Sequence, residues 1–265
     1  MPAWNINNPE VRDYLFSTVK YWIDPNGDGD FSDGVDGFGC DYAKGPSHEF
    51  WKLFRQEVKK INSDVLLLAE VWDANMRVLS EYFDNEFDMA FDFAFQGSLT
   101  GAISSGSSRE LLSYFQKSSI LPKNALMNRF LNNHDMERIY NRMSQEKAKV
   151  GATLLLTIPQ MPMIYYGDEI GMKGVKDPYD EGVRRPMEWC ADNKCTGMTK
   201  WYPVWDEKVD GISVEEELGK DGSLLEYFKK ILELRDKYDA FESGKLEILD
   251  IFKDNEIYQR AFAFL

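Results

Sequence analysis

Cysteine and histidine are scarce in this 265-residue chain, with three and two copies, and basic residues fall well short of acidic ones. Three cysteines cannot make the disulfide framework of a small secreted scaffold. Cys190 and Cys195 are spaced either to pair across a short loop or to remain reduced thiols, and Cys40, inside an apolar run, reads as a small buried hydrophobe. With 31 Lys and Arg against 45 Asp and Glu, the net charge is −14. That balance opposes nucleic acid, whose affinity comes from cations neutralising phosphates, and anionic membrane surfaces. No apolar run reaches the ~20 residues of a membrane span. The opening MPAWNINNPEVRDYL lacks the basic region and apolar core of a signal peptide. No glycine-rich phosphate loop follows an apolar strand, so a nucleotide-binding α/β protein fits poorly.

What is present is enough for a substantial core in one large domain or two small ones. Hydrophobic residues make up 43% and aromatics 14%, with 13 Tyr and 7 Trp. Most of these rings are expected to pack in the core, though a sugar-binding cleft draws on the same residue types. Helical spacing is expected over Asn8–Asp24, His48–Ile61, Ser108–Ile120, Lys147–Ile158 and Leu224–Tyr238. Between them lie apolar segments expected to be strands: Val35–Cys40, Val65–Trp72, Phe87–Phe95, Ala125–Asn132 and Met161–Tyr166. Alternating strands and helices predict β-α-β units and a parallel sheet, with strands apolar on both faces as a fully covered sheet requires.

Asp41, Glu70 and Asp135 stand at or near the ends of the first, second and fourth expected strands. Parallel α/β architectures place their active sites at the carboxyl ends of strands. Two carboxyl groups facing a glycosidic bond are the minimum for its hydrolysis: one protonates the leaving oxygen, the other attacks carbon or activates water. A single aspartate there is as readily a helix cap, so three acids on separate strands are the first sign of a site.

The segments DGFGCDYAK (Asp36–Lys44), EVW (Glu70–Trp72) and FLNNHD (Phe130–Asp135) resemble three signature motifs of the α-amylase family, glycoside hydrolase family 13, in order and rough spacing. MPAWN at the start, IPQMPMIYYGDEIGM (Ile158–Met172), RRPMEW (Arg184–Trp189) and SLLEYFKKILELR (Ser223–Arg235) are also similar to family segments. The resemblance implies the C-terminal portion of a (β/α)8 TIM barrel over residues 1–243. The start of an all-β domain is expected over 244–265. It implies a retaining double displacement on α-1,4-linked glucans such as starch and maltooligosaccharides. A cyclomaltodextrinase, neopullulanase, α-1,6-glucosidase or glucanotransferase is the related alternative. Asp41 matches the nucleophile, Glu70 the general acid/base and Asp135 the third acid, which binds sugar hydroxyls. His134 matches a sugar-binding histidine. Lys44 and Trp72 lie where the family contacts sugar on the leaving-group side.

Two departures from the family pattern bear on activity. Gly39 stands where the family has an arginine that would keep the nucleophile ionised and oriented, and Gly45 stands where it has a histidine. The first three barrel strands, domain B and the first motif are expected before MPAWN. The chain is therefore expected to be a piece of a larger enzyme, or a half-barrel that pairs with another polypeptide. It is expected to be a poor catalyst as written, or a non-catalytic α-glucan-binding fragment.

One motif is independent of the resemblance. DPNGDGDFSDG (Asp24–Gly34) spaces Asp24, Asn26, Asp28 and Asp30 at alternate positions, with Gly29 at the sixth, like the first half of an EF-hand loop. The twelfth position is Val35, so Asp33 would have to replace the usual glutamate. A structural calcium is expected here, with a solvated acidic turn as the alternative. Calcium would suit an extracellular or periplasmic setting.

Overall fold

The computed structural model describes residues 4–176, 178–192, 195–199, 201–202, 211–244, 246–249 and 264. The first helix, α1 (Pro9–Ile23), starts where Asn8 accepts from the Glu10 amide and Pro9 presets the first turn. The short strand β1 (Gly37–Cys40) follows the acidic loop, and α2 (His48–Ile61) begins at Ser47, whose hydroxyl accepts from Phe50 N. Then come β2 (Leu66–Ala69), α3 (Met76–Glu81), β3 (Met89–Phe91), α4 (Phe93–Ser105), α5 (Arg109–Ser118) and β4 (Leu126–Phe130). The remainder is α6 (Ile139–Arg142), α7 (Gln145–Thr157), β5 (Met161–Met163), α8 (Val214–Glu217) and α9 (Leu224–Lys237).

The strands form one sheet in the order β1-β2-β3-β4-β5. β1 pairs with β2, β2 with β3 and β3 with β4 in parallel. The in-sequence order is that of consecutive β-α-β units. The five expected strands are all present, each shorter than its apolar run.

One expectation changes character. Phe87–Phe95 alternates like a strand, yet only Met89–Phe91 pairs, and Phe93 opens α4. That helix contains Gly97 and Gly101, poor helix formers, and is apolar nearly all round. Its face is set by tertiary packing: Phe95, Leu99 and Ala102 are buried at helical spacing, and a Cβ on Gly101 would collide with the Glu110 carboxylate of α5. The six-residue α3 has too little periodicity to be foreseen.

The chain divides into two compact units, residues 1–94 with 117–128, and residues 95–116 with 129–265. In the first, Phe16 of α1 and Phe50 and Phe54 of α2 stack together, and Phe54 meets Phe38 of β1 edge-on. Arg55 and Lys59 of α2 bridge to Asp88 at 2.7 and 3.0 Å, and Asp88 accepts from Leu67 N. The strands are apolar on both faces, but five strands without the rest of a barrel are expected to leave an apolar interior uncovered, and the structure shows it. Leu67 and Met127 are buried, but Leu66 and Leu126 remain 43% and 36% exposed.

In the second unit, α7 packs on α9, where Arg235 donates to Leu156 O and Gln160 O. Buried Arg129 lies over the Phe95 ring at 4.7 Å and donates to Pro159 O, a cation–π arrangement that desolvates the guanidinium without stranding it. Cys190 and Cys195 are paired as a disulfide. Cys40 is a free, partly buried thiol pushed up to about 12 by burial. Past Gly244 the described residues include one isolated antiparallel bridge, Ile248 to Phe264. The all-β domain expected over 244–265 otherwise lies outside the described residues.

Candidate active site

The register of β1 on β2 pairs Cys40 with Ala69. The next residue on each strand is an acid, so Asp41 and Glu70 emerge side by side at adjacent strand ends, with neighbouring strands ~4.8 Å apart. The chain then folds over. Glu70 N donates to Cys40 O at 3.0 Å, Ala43 N to Glu70 O at 3.0 Å and Tyr42 N to Glu70 Oε2 at 3.3 Å. Tyr42 reaches this position with φ 48°, a left-handed conformation that a bulky residue rarely adopts. Partial burial raises the Glu70 carboxyl above the usual glutamate range, and a hydrogen bond shared with Asp41 adds to this, against opposing bonds from Trp72 and Tyr42. Two adjacent carboxyls cannot both ionise freely.

Trp72 and Lys44 take partners that sequence alone does not indicate. Trp72 Nε1 donates to Glu70 Oε1 at 2.9 Å while its ring lies on Phe93. Lys44 Nζ is paired with Asp73 Oδ2 at 2.9 Å, a bond that raises its pKa. At Gly39 a Cβ would meet nothing within 4 Å, so a larger side chain fits there. Gly45 differs, because a Cβ would lie 2.7 Å from Tyr42 Cδ1. The histidine of the family pattern is incompatible with this placement of Tyr42.

The second unit holds Asp135 by other means. Its amide donates to Asn133 Oδ1 at 2.9 Å, and its Oδ1 accepts from Arg184 Nη2 at 2.5 Å. Arg184 Nε donates to His134 O, and Lys176 Nζ to Asp135 O. His134 Nε2 lies 3.4 Å from Asp135 Oδ2. Beneath this turn, buried Asn132 donates to Asp168 Oδ2 at 2.6 Å and accepts from Ile139 N at 2.7 Å. Fully buried Arg138 sits over the rings of Tyr165 and Tyr166, at 4.4 and 4.7 Å, and donates to Tyr166 O and Val183 O. The same carbonyl of Val183, next to Arg184, accepts from Tyr165 Oη. Burial pushes the Asp168 carboxyl up to about 8, against the opposing influence of Arg138 and Asn132. Arg184, Asn132, Arg138 and Asp168 were missed as site residues. For Arg184, Asn132 and Asp168 the signal lay in the resembling segments RRPMEW, FLNNHD and YGDE, but the bonds that tie the four together span 28 to 50 positions along the chain.

In the acidic loop the side chains fold back on their own backbone. Asp24 accepts from Gly27 N and Gly29 N, Asn26 from Asp28 N, Asp28 from Asp30 N and Asp30 from Ser32 N. Asn26 Nδ2 donates to Asp33 Oδ2. Among the described residues no three or more His, Cys, Asp or Glu side chains converge as a metal cage. Nor is any described helix long and apolar enough to cross a membrane.

The family model for the α-amylase catalytic domain matches residues 1–244. The chain belongs to the α-amylase family. It is 32% identical to alpha-amylase 3 of Dictyoglomus thermophilum, with 93% of this chain matched to 50% of that protein. Its identity to the 4-alpha-glucanotransferase of Thermotoga maritima is 31%, over 94% of this chain and 55% of that one. Neopullulanase 2 of Thermoactinomyces vulgaris is 28% identical, over 97% and 38%. The crystal structure of an alpha-amylase from H. orenii superimposes with a TM-score of 0.80 at 31% identity, covering 94% of this chain and 52% of that one. The chain thus spans about half the length of these relatives. The five-stranded sheet with its helices matches part of their barrel, as expected of the fold.

Proposed function

We propose that the chain carries part of the active site of a retaining glycosidase acting on α-1,4-linked glucans. Asp41 is the nucleophile, Glu70 the general acid/base, and Asp135 with His134 a sugar-hydroxyl binder. The observation that carries this reading is the adjacent carboxyl pair at the ends of β1 and β2, in which partial burial raises Glu70 above the usual glutamate range. A protonated Glu70 donates to the glycosidic oxygen as the bond breaks. Asp41 forms the glycosyl-enzyme, and Glu70, now ionised, takes a proton from the water that releases it. Trp72 steadies the acid through Nε1 and offers a half-exposed ring to the leaving sugar. Lys44, tied to Asp73, lies beside the same path. The related activities named by the relatives differ in which acceptor receives the glycosyl group and which linkage is cut.

A second reading, an α-glucan-binding chain without turnover, is favoured by Gly39, which supplies no guanidinium beside Asp41. The deciding experiment is an assay of the purified chain on soluble starch and maltoheptaose, with Glu70→Gln as control. Reducing ends that appear with the chain and vanish with the control support the enzyme. A folded chain that binds maltoheptaose and releases no reducing ends supports the binder.

A further inference from the structure

Trp51 is buried in α2, and neither the motifs nor the proposed chemistry assign it a role. Its ring is caged by Phe50, Phe54 and Phe87, with centroids at 5.1, 5.7 and 4.9 Å. A buried indole N–H needs an acceptor, and here it donates to the main-chain carbonyl of Ala43 at 2.8 Å. Ala43 is itself fully buried, and its amide donates to Glu70 O. The ring of bonds then closes: Glu70 N donates to Cys40 O, Cys40 is bonded to Asp41, and Tyr42 N donates to Glu70 Oε2. Between Asp41 and Ala43 the chain runs through the left-handed Tyr42, a conformation that persists only where its surroundings enforce it.

We propose that Trp51 is a positioning residue for the carboxylate pair, its indole N–H clamping the 41–43 turn over the end of β2 so that Asp41 and Glu70 stay in contact. The proposal rests on the catalytic reading of that pair. The Phe50 and Phe54 rings on the same helix fix the indole, so the donor arrives already oriented. The strained turn would otherwise relax toward ordinary φ, swinging the Tyr42 amide off Glu70 and letting Asp41 drift from it.

The test compares the full chain with Trp51→Phe, which keeps an aromatic ring in the cage and deletes the donor. Glutamate carboxyl carbons are labelled with 13C, and Glu70 is assigned through Glu70→Gln. The titration of Glu70 is expected to fall back toward the ordinary glutamate range, by about half a pH unit or more, with faster exchange of the Ala43 amide. Phe87→Leu, which loosens the cage and keeps the N–H, is expected to lower the melting temperature and leave Glu70 unmoved. If Trp51→Phe does not fold, site-specific benzothienylalanine at position 51 preserves the bicyclic shape without the donor. A folded donor-less variant with an unchanged Glu70 titration and Ala43 exchange overturns the proposal, as does an equal shift in Phe87→Leu. Where the chain turns over maltoheptaose, kcat is expected to drop about tenfold in Trp51→Phe with KM changed less than about twofold. Absence of turnover in the unaltered chain would count against the enzymatic reading, while the titration would still decide the clamp.

Discussion

Asp41 and Asp135 both follow a strand of one sheet, yet they are held in different ways. Asp135 is gripped by a guanidinium from 49 residues downstream, and the turn that carries it rests on a buried layer of Asn132, Arg138 and Asp168. Asp41 is exposed and stands two residues after Gly39, where a Cβ would meet empty space; the turn after it is held by main-chain bonds and one indole. The first acid is oriented by the backbone, the second by charge. A backbone turn fixes position well, but it contributes little to keeping a carboxylate ionised. An arginine does both. The contrast locates the weakness in the support of Asp41 at a single residue, Gly39, rather than in the sheet.

The largest expected effect tests whether the contrast concerns catalysis at all. Glu70→Gln, or Asp41→Asn, is expected to lower turnover of maltoheptaose by about a thousandfold. A smaller loss, read as reducing ends per mole of chain, would remove the pair from the mechanism. Next, Arg184→Ala should strip Asp135 of its charged partner and cost about a hundredfold in kcat/KM, or ~2.7 kcal/mol of transition-state stabilisation. The converse change, Gly39→Arg, should make the first site resemble the second. Its side chain enters open space, and kcat is expected to rise about tenfold, ~1.4 kcal/mol. An unaltered rate would show that the backbone turn alone suffices for Asp41.

The buried layer under Asp135 gives the comparison a pH signature. The Asp168 carboxyl is raised in the folded chain from 3.8 to about 8. The folded state therefore binds more protons than the unfolded state between those values, and stability must fall as pH rises through that window. One such group contributes a slope of at most about 1.4 kcal/mol per pH unit. Denaturant melts between pH 5 and 8 should show the decline, and Asp168→Asn should flatten it. A profile equally steep in the variant would assign the slope to other groups. The smallest effect concerns the acidic loop. Its oxygens are already engaged by their own amides and do not converge, so millimolar calcium is expected to raise the melting temperature by less than about 2 °C. A larger rise, abolished by Asp24→Ala, would show that the loop reorganises around the ion.

Much of this fold could be read from residue patterns, because the chain alternates apolar runs with strongly amphipathic helices. His48–Ile61 was expected as a helix and forms with those bounds, its Ser47 cap and Phe50, Phe54 and Val58 stripe both being local signals. The α4 helix was hidden for the opposite reason: its glycines and uniform apolarity carry no local preference, and α5 decides its conformation. An open apolar face was expected of five strands, but which leucines occupy it was not legible, since Leu66 and Leu67 look alike in sequence and only the sheet separates them. Among the site residues, the strand-end position of the acids was legible from motif and spacing. The partners of those acids were not. Arg184 and Asp168 act through bonds that join distant segments, and Trp51 through a main-chain carbonyl that nothing in its neighbouring sequence marks.

Leu66 and Leu126 lie on the same sheet and keep a large part of their surface in water. A pair of aliphatic side chains on an open strand surface is an adhesive patch, and its effect grows with concentration. Handling follows from this: dilute preparations should remain dispersed, whereas concentrated ones should bind solvatochromic dyes, scatter light and sediment faster. Replacing both leucines with threonine, which is β-branched, suits a strand and adds a hydroxyl, is the simplest way to obtain a sample that tolerates the millimolar range needed for spectroscopy.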